Sequence, residues 1–477
     1  MAKTIKSRLE GVRKVLAEHG QEHLLRFGED LAKDELLKLI EEIEKLDWKL
    51  IEELIAKYVR GKGQIELPHE ILPPPVYLVE PADTAQREKY ARALERGERL
   101  IAEHKVAAFT VAGGQGTRLN YNGPKGNVPA TPLRNKPLFQ VFAEQILAVQ
   151  RRYNCVVPWY IMTAPANHED TLRSFQENDY WGLKPADVMH FPQGTMPSFD
   201  FNGKMLLAEA GVIATNPDGH GGSLRALYNS GASADMARRG VEYISYFQVD
   251  NPIVYTVDPL FIGLHALDGA EMSSKAVRKA EPLEKVGNFT MADGKVTVIE
   301  YSDLPEELAR KRLPDGRLAF EFGSIAIHII NRAFVERLNA HGFSLPWHRA
   351  VKKVSFVNER KELVTPPEPN AVKLETFVFD ALPLAERSII LEVERGEQFA
   401  PIKNAAGVDS LQSSQQLQIA RAAKWMEAAG IPVPRRPDGT PEVALEISPL
   451  FALDPHELAD KRRQLRPLKT GDIVYLG

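Results

Sequence analysis

Cysteine is all but absent. Cys155 is the only one in 477 residues, so no intrachain disulfide can form and the fold rests on its core. With no recognisable partner, that thiol is expected to be a buried, inert side chain. Long apolar runs are missing as well: nothing approaches the ~20 residues needed to span a bilayer. Met1–Ser7 is polar and basic with no apolar h-region, so a cytoplasmic protein away from membranes is expected. Charge of one sign is not in excess. The net charge of -4 gives no general attraction to nucleic acid or to an anionic membrane, so any phosphate must be met by local cations. There is no internal repeat and no low-complexity tract. His265, His341 and His348 show no metal-ligand spacing, and no Ser–His–Asp arrangement can be read.

What is present suggests two to four domains, at the usual ~100–200 residues each. Residues 4–60 are helical in pattern, with Leu36, Leu37, Ile40, Ile43 and Leu46 on one face. Asp34 is the expected N-cap of that helix and Gly20 the stop of the one before. Pro73, Pro74 and Pro75 break the pattern. A helix is expected at about 86–104, and from 105 to about 400 strands alternate with helices. Strand candidates are 106–111, 156–163, 187–191, 243–249, 319–329 and 388–393, with helices at 223–239 and 331–340 among them. Such alternation argues for an α/β domain with a largely parallel sheet. Asn202-Gly203 and Asp293-Gly294 read as tight hairpin turns, the second inside a β-rich insertion at 271–301. The tail has a helix at 410–429, a Pro/Gly break at 430–441 and short strands. The division expected is a helical region at 1–104, a catalytic domain at 105–400 and a small C-terminal domain at 401–477.

The strand Val106–Val111 runs into Gly113, Gly114, Gln115, Gly116, Thr117 and Arg118, then Gly123-Pro124-Lys125-Gly126. Glycines let backbone N–H groups approach an anion, and cations add charge that dipoles cannot supply. A P-loop would need Lys-Ser/Thr after its last glycine, but Gly116 is followed by Thr117-Arg118. A dinucleotide fingerprint would need a third glycine where Leu119 stands. In open α/β sheets ligands bind outside the carboxyl ends of strands. Gly113–Arg118, Gln193, Asp250 and Asn251 all fall at such ends. Asp250 can hold Mg²⁺ or Mn²⁺ there, or simply close the strand with an Asx-turn. Gly219, Gly221 and Gly222 let a ligand pack against backbone, or serve a plain loop entering the next helix.

These residues carry a resemblance. The Gly-Gly-Gln-Gly-Thr-Arg loop and Pro-Lys-Gly are similar to the UTP-dependent sugar-1-phosphate uridylyltransferases, most closely the eukaryotic-type UDP-N-acetylglucosamine pyrophosphorylases. The similarity extends in order through Gly20–Phe27, Trp159–Thr163, Pro217–Gly222, Val249–Asn251, Glu300–Ser302, Lys373–Asp380, Phe399–Asn404 and Glu446–Leu450. It implies a Rossmann-like nucleotidyltransferase domain with a mixed, mostly parallel sheet, a helical N-terminal region and a small C-terminal α+β domain.

The resemblance also implies roles. UTP would meet Gly113, Gly114, Gln115, Gly116, Thr117, Gln193 and Gly219, with Gln193 reading uracil through an amide that can pair with both its donor and its acceptor. The family's metal-binding Asp matches Asp250, and its phosphate-contacting Lys matches Lys403. Arg118, Lys125 and Lys403 would be the catalytic cations. His220, Asn251, Gly287, Glu300 and Ser324 would face the sugar. His220 and Ser324 replace asparagines that contact sugar in the family, which leaves the sugar open. A Gly-His-Gly block is similar to UDP-glucose pyrophosphorylases, so glucose-1-phosphate or a broad specificity is the alternative to an N-acetylhexosamine phosphate. A non-catalytic nucleotide-sugar sensor and a kinase-like phosphoryl transferase are the rivals from other classes. A monomer or weak homo-oligomer is expected.

Overall fold

The structure, a computed structural model, describes residues 4–61, 63, 68–343 and 345–477. The chain divides into two compact units. The smaller gathers 1–67, 194–222 and 345–378, and the larger gathers 68–193, 223–344 and 379–477. These units run across the boundaries drawn from the sequence: 68–104 and 401–477 fall in the larger one. Of the expected helical region, residues 1–3, 62 and 64–67 lie outside the described residues.

The larger unit is built on a ten-stranded sheet. Val188–Pro192, Trp159–Thr163, Val106–Val111 and Tyr243–Gln248 pair in parallel, in that spatial order. Phe322–Asn331 then pairs antiparallel with Tyr243–Gln248, and Met272–Arg278 antiparallel with Phe322–Asn331. Ser388–Glu392 closes that side in parallel with Met272–Arg278. Val106–Val111 forms because its residues are small, β-branched or aromatic (Phe109) and buried over most of its length, as a parallel strand covered on both faces requires. Phe139, Phe142, Trp159 and Phe175 fill the core around it. Burying each contributes ~1.5–3 kcal/mol. Cys155 is buried among them, and desolvation pushes its thiol up to about 11.

Helix Thr84–Ala102 crosses helix Pro259–Leu267 closely. A Cβ at Gly97 would overlap the Pro259 carbonyl, and one at Gly263 the Ala93 carbonyl, so both crossing points need glycine. Helix Leu411–Ala428 and the short strands Ala444–Ile447 and Ile473–Leu476 share a core of their own around Trp425, Met426 and Leu445. Glu446 accepts from the Leu133 and Arg134 N–H groups at 2.7 and 2.8 Å, fixing that tail to the 131–136 turn.

In the smaller unit, helices Ile5–Glu18, Lys33–Lys45 and Trp48–Leu54 bury Leu16, Ile40, Ile43 and Leu54 against Phe199, Met205, Val372 and Leu374. Strands Trp347–Lys352 and Ala371–Thr376 pair antiparallel there.

Several expectations are corrected. The second helix begins at Lys33, so Asp34 lies in its first turn and Ala32 is the cap, its N–H donating to Glu35 at 2.9 Å. Gly20, at φ +63°, ends the first helix as expected. The 223–239 stretch is two helices, Gly222–Asn229 and Ala232–Arg238, split at Gly231 where φ is +82°. The segment 271–301 is no insertion: Met272–Arg278 lies inside the main sheet, and only Asn288–Ala292 and Lys295–Ile299 form a hairpin, turning at Asp293-Gly294. Among the described residues no helix is long and apolar enough to cross a membrane.

Candidate active site

Four parallel strands of the larger unit end side by side, and the residues that follow them begin the site. After Val111 the chain turns through Gly113 to Gly116, and the Lys125 N–H donates back to the Gly114 carbonyl at 3.1 Å. Gly116 donates to the Gly123 carbonyl at 2.9 Å. A Cβ at Gly116 would come within 2.8 Å of the Tyr121 ring, so only glycine fits that fold of the loop. Asn167, buried, pins the loop from the neighbouring strand end: its Nδ2 donates to the Ala112 and Gly114 carbonyls at 3.1 and 3.2 Å. Gln115, Thr117 and Arg118 stand exposed beyond it, Thr117 and Arg118 on the turn Thr117–Leu119.

Gln193 follows Val188–Pro192, its N–H donating to the Thr163 carbonyl at 2.7 Å. Its side chain is buried against Gly113, so closely that a Cβ there would overlap Oε1. Asp250 follows Tyr243–Gln248. The Lys125 ammonium lies 3.7 Å from its carboxylate, and both side chains are largely buried.

The Phe399–Asn404 segment is tied to the same strand end. The Ile402 N–H donates to the Asp250 carbonyl at 2.8 Å. Lys403, next in line, is partly exposed, 3.8 Å from Asp409 and 5.3 Å from the Phe399 ring centroid. Lys125 thus faces Asp250 directly, Arg118 lies on the same loop, and Lys403 follows the residue bonded to the Asp250 carbonyl. Asn251 is different. Its Nδ2 donates to the Gln398 carbonyl at 2.6 Å, and its Oδ1 accepts from Ala400 N–H at 3.1 Å. Its carboxamide, buried, is committed to the protein's own backbone, where the sequence reading put it on sugar.

A second group forms at the antiparallel side of the sheet. Ser324 donates its N–H to the Gly287 carbonyl at 2.8 Å. A Cβ at Gly287 would lie 3.4 Å from Glu300 Oε1 and 3.9 Å from Ser324 Cβ, which places the three side by side. Nearby in the chain, Lys279 Nζ donates to Asn288 Oδ1 at 2.6 Å.

Gly219 and His220 belong to the smaller unit. Gly219 has φ +85°, and a Cβ there would overlap the Thr376 carbonyl. A Cβ on Gly221 would sit 2.7 Å from the Phe377 N. Packing against that backbone is therefore reason enough for both glycines. The His220 ring stacks on Phe377 at 5.2 Å, and Phe377 on His348 at 4.2 Å. His220 Nδ1 accepts from the Val378 N–H at 3.1 Å. Burial, with the charge of His348, pushes its pKa down to about 4, so the ring is neutral near pH 7.

Asn167, Asp218 and Gln398 also support the site, and none of them is among the residues expected there. Asp218 is buried, and a Cβ on Gly194 or Gly222 would press on its carboxylate. Nothing in spacing marks Asn167 or Gln398, because their partners come from distant segments, whereas Asp218 lies inside the Pro217–Gly222 block.

Comparison with known proteins identifies relatives along most of the chain. Residues 50–443 match the family described as UTP–glucose-1-phosphate uridylyltransferase. The chain is 36% identical to the human UDP-N-acetylhexosamine pyrophosphorylase-like protein 1, over 93% of this chain and 92% of that one. It is 34% identical to the Arabidopsis thaliana UDP-N-acetylglucosamine diphosphorylase 2, over 87% of this chain and 84% of that one. In fold it is similar to the crystal structure of the uridine diphosphate N-acetylglucosamine pyrophosphorylase from Trypanosoma brucei. The TM-score is 0.81 at 23% identity, covering 100% of this chain and 99% of that one.

Proposed function

Because the chain belongs to the UTP–glucose-1-phosphate uridylyltransferase family, it is a nucleotidyltransferase, and we propose that it joins UTP to N-acetylglucosamine-1-phosphate, or a related N-acetylhexosamine phosphate, releasing pyrophosphate. The observation that carries the reading is the meeting of the glycine loop, Lys125, Asp250 and the Lys403 segment at two adjacent strand ends.

A sugar phosphate is already anionic, so its attack on the α-phosphorus needs little general-base help. It needs placement and charge neutralisation. In this reading the loop N–H groups and Arg118 receive the β- and γ-phosphates. Lys125 draws charge from the departing pyrophosphate. Lys403, partly exposed, meets the sugar phosphate or the α-phosphate. Gln193 pairs with the uracil edge, its depth fixed by Gly113. Glu300 accepts from sugar hydroxyls beside Gly287 and Ser324.

Among the described residues no three His, Cys, Asp or Glu side chains gather to hold a metal. Mg²⁺ takes one or two carboxylates and completes its shell with phosphate oxygens and water. Asp250, largely buried at the strand end, is the residue that would hold it. Magnesium bound there would neutralise phosphate charge.

The test is product identity by ³¹P NMR. UTP and N-acetylglucosamine-1-phosphate should give a UDP-sugar and pyrophosphate in equal amounts. Orthophosphate or UDP would point to a phosphoryl transferase. Tight binding of UDP-sugar without turnover would point to a sensor.

A further inference from the structure

Lys275 sits on Met272–Arg278, between Phe322–Asn331 and Ser388–Glu392 of the ten-stranded sheet, and its side chain is wholly buried. An ammonium there is costly unless every partner is supplied. Two are. Its Nζ donates to Asp258 Oδ2 at 2.6 Å and to Gln398 Oε1 at 2.5 Å. It also lies 5.3 Å from the Phe261 ring centroid and 5.6 Å from that of Tyr255. Burial pushes the ammonium down from its usual range, and Asp258 opposes that shift.

Both partners have other duties. Asp258 caps helix Pro259–Leu267, its Oδ1 accepting from the Phe261 N–H at 3.2 Å. Gln398 is the residue before Phe399–Asn404, the segment that carries Lys403. Its carbonyl accepts from Asn251 Nδ2 at 2.6 Å, and Asn251 Oδ1 accepts from the Ala400 N–H at 3.1 Å. Two residues on, the Ile402 N–H donates to the Asp250 carbonyl at 2.8 Å. Hydrogen bonds joined through the backbone of residues 398–402 and 250–251 therefore lead from the core ammonium, through Gln398 and Asn251, to the backbone that carries Lys403 and Asp250.

We infer that Lys275 is a positioning residue for nucleotidyl transfer: it anchors Gln398, and so holds the Lys403 segment against the Asp250 strand end. This rests on the uridylyltransferase reading above. Lys275 touches no substrate. Its effect on turnover passes through Lys403. An apolar side chain of the same length would fill the space but leave Gln398 Oε1 without its donor and the segment free to shift. A displacement of about 1 Å in such a group costs about 100-fold in rate.

The experiment uses the full chain and four variants: Lys275→Met, Gln398→Leu, Lys403→Ala and Lys275→Met with Lys403→Ala. Turnover, KM for UTP, melting temperature and amide hydrogen exchange are measured on each. Lys275→Met should cut kcat by about 100-fold with KM for UTP changed little. Its 399–404 amides should exchange faster than in the wild type. The double variant should be no slower than Lys403→Ala alone, because both changes remove one effect. A folded Lys275→Met enzyme with full kcat overturns the proposal, and so does a double variant whose losses multiply, as a merely structural lysine predicts. If Lys275→Met does not fold, Gln398→Leu decides by the same criteria. A wild type inert with every sugar phosphate would sink the uridylyltransferase reading. The exchange result would then decide by itself whether Lys275 holds the segment, and unchanged exchange overturns that.

Discussion

The Lys125 ammonium stands 3.7 Å from the Asp250 carboxylate, each side chain largely shielded from water. The two come from the ends of adjacent parallel strands, so an anion arriving there meets a cation beside a group suited to Mg²⁺. Lys125 is not needed to hold the loop, whose turn is made by backbone hydrogen bonds. Replacing Lys125 by Ala should therefore lower kcat by roughly 10²–10³-fold, the usual cost of losing one charge-stabilising group, with little change in melting temperature. Steady-state pyrophosphate release beside a thermal melt checks this. Near-normal turnover would remove Lys125 from the chemistry.

Gly113 and Gln193 share a fit that tolerates no added carbon. Gly113→Ala should push the Gln193 amide aside. KM for UTP should rise by about 10-fold or more, as when a hydrogen bond to a buried polar group is lost, and discrimination between UTP and CTP should weaken. Competition kinetics with the two nucleotides reads both effects. Unaltered discrimination would mean Gln193 does not read the base.

Glu300→Gln should separate the two substrates. A carboxylate gripping hydroxyls contributes ~1.5–3 kcal/mol, so KM for the sugar phosphate should rise by about 10- to 100-fold while that for UTP holds. A change confined to UTP would contradict the sugar assignment of the group formed by Gly287, Glu300 and Ser324.

His265 gives a pH dependence with a definite sign. It is fully buried, and its two ring contacts fix the tautomer: Nε2–H donates to Asn331 Oδ1 at 2.9 Å, because that oxygen can only accept, and Nδ1 accepts from Ser273 at 2.7 Å. Desolvation, opposed by the Asn331 hydrogen bond, lowers its pKa from 6.5 to about 4. Between those values the unfolded chain binds a proton that the fold refuses, so stability falls as pH drops through that window. His220 and His190, each lowered to about 4, act in the same direction. Chemical-denaturation midpoints from pH 7 to pH 4.5 should decline, and His265→Asn should flatten the decline. A flat wild-type profile would refute this.

Much of the site was legible because its signals are contiguous. Val106–Val111 and the glycine loop lie within one stretch, and Asp293-Gly294 turns its hairpin with both residues at positive φ, as the dipeptide implies. What stayed hidden depends on distant partners. Met272–Arg278 reads as part of an insertion until Phe322–Asn331 and Ser388–Glu392 pair with its two edges. The smaller unit is assembled from three separated segments, which no local pattern announces. Asn251 reads as a ligand contact in its Val-Asp-Asn block, yet its amide is engaged by Gln398 and Ala400, nearly 150 residues on.

The most direct test of the whole account is initial-rate pyrophosphate release from UTP and Mg²⁺, run in parallel with the 1-phosphates of N-acetylglucosamine, N-acetylgalactosamine, glucose and galactose. The account predicts turnover with highest kcat/KM for an N-acetylated sugar, His220 and Ser324 standing in the places of asparagines without reversing the preference. A preference for glucose or galactose would contradict the sugar assignment, and silence of the folded protein with all four would contradict the uridylyltransferase itself.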